Sequence, residues 1–109
     1  MKVYALKTCD TCRKATKALA AAGVEFEVKD IRADGLNDVE IAQMVAEFGE
    51  KAVNKASTTW RGLSDTDKQR DPTQLISENP TLLKRPVIVK DGQWFQGWTA
   101  AVQSAVLPD

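Results

Sequence analysis

Thr8-Cys9-Asp10-Thr11-Cys12-Arg13-Lys14-Ala15 joins a short apolar run, Val3, Tyr4 and Leu6, to a stretch with apolar residues at helical spacing. It holds the only two cysteines of a 109-residue chain that has no histidine. A C-x-x-C pair at a strand-to-helix turn is a redox signature, and the βαβ context that would confirm it can be sought on either side.

Upstream, residues 2–6 read as a buried strand. Downstream, Ala15, Ala18, Leu19 and Ala22 recur at helical spacing, with Arg13, Lys14 and Lys17 on the wet side. Gly23 suits the C′ position, where positive φ ends a helix. Glu25-Phe26-Glu27-Val28-Lys29 alternates with period two and predicts a second strand. Asn37 or Asp38 can cap the next helix, whose apolar face is predicted as Val39, Ile41, Ala42, Val45 and Phe48, ending near Gly49.

Lys51 to Leu63 shows weak patterning, and Ser57-Thr58-Thr59 suggests irregular backbone or a short helix. Two short helices are expected at 64–69 and 72–78, capped by Ser64 and Asp71, with Pro72 at a favourable first position. One more turn covers Asn79 to Leu83. Val87-Ile88-Val89-Lys90 then reads as a buried strand, and Asp91-Gly92 turns it into Gln93-Trp94-Phe95-Gln96. A last helix is predicted over 99–106. The order is β-α-β-α, a helical stretch, then β-β-α. This α/β order is the thioredoxin-like plan with a helical insertion before the third strand, in one domain spanning 1–109.

Composition narrows the function. Fifteen basic and fifteen acidic residues cancel, which argues against broad binding to nucleic acid or an anionic membrane and makes a monomer the default. The opening residues do not form a signal peptide, and no apolar run approaches the ~20 residues needed to span a bilayer. A cytoplasmic protein is expected, and there a C-x-x-C pair reads as redox-active or metal-binding. With two cysteines and no histidine the usual zinc ligand set is incomplete, and no metal is expected.

A reactive cysteine needs something to stabilise its thiolate. Cys9, at the start of the helix, faces unpaired amides and the positive end of the dipole. Arg13 and Lys14 add positive charge, Asp10 opposes it, and the expected net shift in acidity lowers the Cys9 pKa. Cys12, three residues on, is the natural resolving thiol. The plainer alternative makes Cys12 a small buried helix residue and Cys9 a turn residue. In a fold of this kind the proline of Arg85-Pro86 is commonly cis and packs beside the redox cysteine, so Arg85 would project near Cys9. Asn54, Lys55, Thr58, Thr59, Trp60 and Arg61 form a polar cluster that could rim a site over the cysteines; equally, Trp60 could be a core anchor and Arg61 solvated. Trp94, Phe95 and Trp98 are better explained by core packing.

Tyr4, Cys9-x-Thr11-Cys12-Arg13-Lys14-Ala15, Thr58-Thr59-Trp60-Arg61-x-Leu63 and Arg85-Pro86-Val87-Ile88 together resemble the arsenate reductase/Spx family, in particular its small members similar to YffB. The resemblance implies Cys9 as nucleophile. In the glutaredoxin-coupled arsenate reductases that cysteine takes arsenate, arginines hold the oxyanion, and glutathione attacks the adduct. Arg85 falls on one of those arginines, whereas Ala56 and Gln96 stand near the other two, which removes most of the bidentate partners of an oxyanion. Lys55 or Arg61 could substitute, and with Arg13 they complete the candidate anion-binding set.

The activity implied is that of a thiol-dependent reductase: Cys9 attacks, Cys12 resolves, and Arg85 stabilises charge. No cofactor is expected to be tightly bound, and glutathione or a glutaredoxin-like protein would be the reductant. The C-x-x-C pair also resembles the Spx arrangement, in which a thiol-disulfide switch governs binding to RNA polymerase. A member that keeps the fold without activity is the third reading.

Overall fold

The structure, a computed structural model, describes residues 1–108. The chain divides into two compact units, one of residues 1–31 and 85–108, the other Arg32–Lys84.

The first unit carries the sheet. β1 (Lys2–Ala5), β2 (Glu27–Asp30), β3 (Val87–Lys90) and β4 (Gln93–Gln96) lie in the order β2-β1-β3-β4. β1 and β2 are parallel, joined by α1 (Asp10–Ala21), and the other two pairs are antiparallel. Asp91 and Gly92, at φ 51° and 79°, make the tight turn that an Asp-Gly pair favours. Val3, Ile88 and Phe95 stand opposite one another across three strands and so share a face. There Val3, Ala5 and Ile88 pack with Cys12 and Leu19 of α1 and with Val102 and Val106 of α6 (Ala100–Val106). Phe95 and Trp98 pack against that core, and Trp94 stacks on Tyr4 at 6.2 Å between ring centroids. Core packing accounts for Phe95 and Trp98, and Trp94 is held by its stacking on Tyr4.

α1 ends as Gly23 predicts. Gly23 has φ 76°, its amide reaches the Ala20 carbonyl, and the Val24 amide reaches Leu19. Those two bonds close a Schellman motif, which a side chain at C′ would strain. The second strand sits two residues later at its start than the alternation suggests. Pairing begins where Lys2 meets Glu27, and Glu25 and Phe26 lie before the ladder.

In the second unit, α2 (Asp38–Phe48) packs against α5 (Pro72–Glu78). Short pieces lie between: a 3-10 turn at Gly49–Ala52, α3 (Thr58–Arg61) and α4 (Asp65–Lys68), with a second 3-10 turn at Pro80–Leu82. The weakly patterned stretch 51–63 is therefore turns and the one-turn α3, begun by the Ser57 hydroxyl, while α4 and α5 stand where expected, begun by the Ser64 hydroxyl and the Asp71 carboxylate. Ile41, Met44, Ala52, Val53, Leu75, Ile76, Leu82 and Leu83 are buried.

The predicted apolar face of α2 is corrected. Val39 is 67% exposed and Ala42 is exposed, while Glu40 is buried and Met44 joins Ile41 inside. Glu40 is buried as a member of a capping box. Asn37 accepts the Glu40 amide at 2.8 Å, and the Glu40 carboxylate accepts the Asn37 amide at 3.0 Å. A glutamate turned back onto the cap must point along the helix rather than away from it.

Candidate functional site

The sheet topology assembles the site. β1 runs out into Lys7, Thr8 and Cys9, and β3 is its antiparallel neighbour, with Val87 opposite Tyr4. The beginning of β3 therefore lies beside the end of β1. The Arg85–Pro86 peptide bond, which is cis, sits immediately before that beginning. Two segments more than 70 positions apart meet because one strand ends where the other starts.

Cys9 is the N-cap of α1, in extended conformation at φ −90° and ψ 116°, and its Sγ accepts the Cys12 amide at 3.4 Å. Its own amide bonds to the Leu6 carbonyl at 3.0 Å, which fixes the turn. The sulfur thus occupies the position a serine or aspartate oxygen takes in an ordinary cap. Partial burial opposes its ionisation, yet the hydrogen bonds from Cys12, side chain and backbone, and the bonding and charge of Arg85 outweigh it. The net result places the Cys9 thiol below its ordinary value, in the direction that the helix terminus predicts.

Cys12 is the opposite case. Only 2% of its surface is exposed, and burial first, then the hydrogen bond and charge of Cys9, push its thiol up to about 12. A hydrogen bond from the Leu6 backbone and the charge of Arg85 work the other way without prevailing. The two cysteines therefore differ by environment: Cys9 is the more acidic thiol, and Cys12 keeps its proton. Both are free thiols.

The sequence-predicted residues separate into two groups. Cys9, Cys12, Arg85 and Pro86 come together in the sheet-bearing unit. Arg13, one turn into α1, is exposed; its Nε donates to the Lys7 carbonyl at 2.8 Å and its guanidinium lies 3.5 Å from the Asp10 carboxylate. Lys55 and Arg61 belong to the helical unit. Lys55 lies 4.0 Å from the Glu50 carboxylate and 5.6 Å from the Trp60 ring centroid, and Arg61 closes α3 as an exposed residue. Gln96 stands opposite Val87 at the end of β4. The backbone contribution of Leu6 was not legible, because any residue can supply an amide.

Among the described residues no three histidine, cysteine, aspartate or glutamate side chains gather as metal ligands. Among the described residues no helix is long and apolar enough to cross a membrane.

One consequence for Arg85 can be measured directly. In Arg85→Gln the Cys9 thiol loses a cationic neighbour and becomes less acidic. Its alkylation at pH 7 is expected to slow several-fold while the plateau rate at high pH stays within about twofold. An unchanged rate at pH 7 would show that Arg85 does not act on the sulfur.

Residues 4–102 match the ArsC family. A Haemophilus influenzae protein of uncharacterised function is 45% identical over 101 residues, covering 88% of this chain and 89% of its own. The global transcriptional regulator Spx of Streptococcus agalactiae is 34% identical over 107 residues, 93% of this chain and 78% of the regulator. Among solved structures, a YffB protein superposes with a TM-score of 0.91 at 29% identity, covering 98% of each chain. An arsenate reductase-related protein from Brucella melitensis does so at 0.76 and 28%, covering 96% of this chain and 92% of the other. A thioredoxin-like α/β fold, the paired cysteines at its first strand-to-helix turn and a family match over nearly the whole length agree: the chain belongs to the ArsC family.

Proposed function

We propose that this protein is a thiol-dependent reductase acting on a disulfide-bonded substrate, with Cys9 as nucleophile, Cys12 as resolving thiol and glutathione or a glutaredoxin-like protein as reductant. The observation that carries the reading is the Cys9 sulfur at the N-cap of α1, hydrogen-bonded to Cys12 and beside Arg85. The Cys9 thiolate attacks one sulfur of the substrate disulfide, forming a mixed disulfide and expelling the other sulfur as thiolate. Cys12 then loses its proton and attacks the Cys9 sulfur, and the second substrate sulfur leaves as thiolate. The substrate gains two electrons, and Cys9–Cys12 becomes a disulfide that two equivalents of glutathione, or one glutaredoxin-like dithiol, reduce again.

The chemistry of Cys12 suits this order. While Cys9 is a thiolate, its charge and hydrogen bond hold the proton on Cys12. Once the Cys9 sulfur is in a mixed disulfide both influences vanish, and only burial still opposes ionisation. The resolving thiol is thus suppressed until it is needed. Such chemistry requires a reducing compartment, which fits a cytoplasmic location.

A second reading follows from the Spx relatives, at 26–34% identity: the same dithiol as a redox switch governing binding to RNA polymerase. Mass spectrometry after brief exposure to glutathione disulfide tests the reductase reading. A Cys9–glutathione adduct should appear first and give way to the Cys9–Cys12 disulfide as glutathione is released. First modification at Cys12, or none at either cysteine, overturns it. A stable internal disulfide that glutathione does not reduce, with polymerase captured in one redox state alone, supports the switch.

A further inference from the structure

The helical unit contains a cavity that the thiol chemistry does not use. It has a volume of about 320 Å3, and Trp60, Val53, Pro72 and Leu75 supply its apolar wall. Three cationic side chains line it, Lys55, Lys68 and Arg70, against the single carboxylate of Glu50. We propose that this cavity binds a small organic anion: a phosphate or carboxylate carried on a planar ring.

Three observations point to that class. First, the Nζ atoms of Lys55 and Lys68 lie 5.6 and 5.8 Å from the centroid of the same indole ring. Both side chains line the cavity, so an anion held there has two ammonium groups to pair with. Second, the ion pair that Lys55 makes is weak. Lys55 and Glu50 are 4.0 Å apart and exposed, a pairing that an incoming anion displaces readily. Arg70 is different: Glu78 and Asp67 hold its guanidinium, so it serves as fixed wall. Third, an adjoining cavity of about 260 Å3 shares Glu50, Val53 and Lys55 and adds Lys51 and Lys84 to its lining. Positive charge clustered around a concave, partly apolar surface raises the local concentration of anions.

The apolar wall selects the rest of the ligand. Val53 and Leu75 are buried, and Trp60, half-buried, offers a flat surface for a ring to rest against. A cavity of this size is at the lower end for small-molecule sites, which suits a ligand of one ring system and one anionic group. Inorganic phosphate would leave the apolar wall unused, and a neutral ring would leave the lysines unused.

The test is a titration of the whole 15N-labelled protein with adenosine monophosphate, adenosine and inorganic phosphate, read at the Trp60 indole and the Val53 and Lys55 amides. Adenosine monophosphate should shift all three and bind at least tenfold more tightly than either adenosine or phosphate. The double variant Lys55→Gln/Lys68→Gln changes ammonium groups rather than the apolar wall, and its spectrum away from the cavity reports that it folds. In it the affinity should fall at least tenfold. Equal binding of adenosine overturns the anion requirement, and equal binding of phosphate overturns the ring. Shifts confined to other residues, or none with 10 mM ligand, overturn the site.

Discussion

At pH 8, iodoacetamide should label Cys9 at least about thirtyfold faster than Cys12 in the same molecule, as read from tryptic peptides. A thiol with the unshifted value of 9.0 is ionised to roughly a tenth at pH 8, and Cys9 lies below that value. Cys12, at about 12, is ionised in roughly one molecule in ten thousand. Ionisation alone therefore favours Cys9 by about a thousandfold. A less acidic thiolate is intrinsically the better nucleophile, and a Brønsted slope of about 0.4–0.5 returns some twenty- to thirtyfold of that to Cys12. Thirtyfold remains, before the burial of Cys12 is considered. Cys9 labelling should rise with pH and level off at lower pH than that of an unshifted thiol, while Cys12 labelling keeps rising. In Cys9→Ser the charge that holds the Cys12 proton is gone, so Cys12 should label faster than in the wild type. Comparable rates at the two cysteines of the native protein would remove the division of roles on which the reductase reading depends.

The contrast between the sulfurs was half legible in the chain. A cysteine at a strand-to-helix turn faces amides whatever the fold around it, so the direction for Cys9 followed from local geometry. The depth of Cys12 did not. Its position as third residue of α1 allows either exposure or burial, and only the packing of α1 against Val3, Ala5 and Ile88 decides. Arg85 was reachable because a proline before the third strand of this plan has a known place, and antiparallel pairing of β1 and β3 delivers it there. The exposed face of α2 was misread for a related reason. Val39 looks like a core residue by type, but α2 docks on the face of Ile41 and Met44, which leaves Val39 outside. Periodicity places residues on faces; it does not say which face will turn inward. The Trp60 cavity escaped for a third reason. Lys55 and Trp60 stood out as polar-cluster members, but Lys68 and Leu75 come from later helices, and no spacing rule brings them to one ring.

Leu19→Ala should destabilise the protein by about 2–5 kcal/mol and open the way to Cys12 at the same time. Leu19 is fully buried in the cluster formed by the inner face of the sheet, α1 and α6, and truncating it removes both transfer energy and packing. Against a total stability of about 5–15 kcal/mol for a domain, that is a large fraction. Cys12, Ala15 and Leu19 follow one another at helical spacing on the buried side of α1, so the anchor that holds the helix on the sheet also keeps Cys12 from solvent. The denaturation midpoint in urea should fall with the slope unchanged. Independently, Cys12 labelling through helix opening should rise roughly thirtyfold for a loss of 2 kcal/mol, because the open population grows by the same factor. Lys17→Ala, on the exposed side of the same helix, should change stability by no more than about 0.5 kcal/mol and leave Cys12 protected. A loss of stability in Leu19→Ala with no gain in Cys12 labelling would mean that Cys12 is shielded by something other than the docking of α1. Protection of the resolving thiol would then be a local property of the cysteine turn, separable from the core that the sheet and the two helices build.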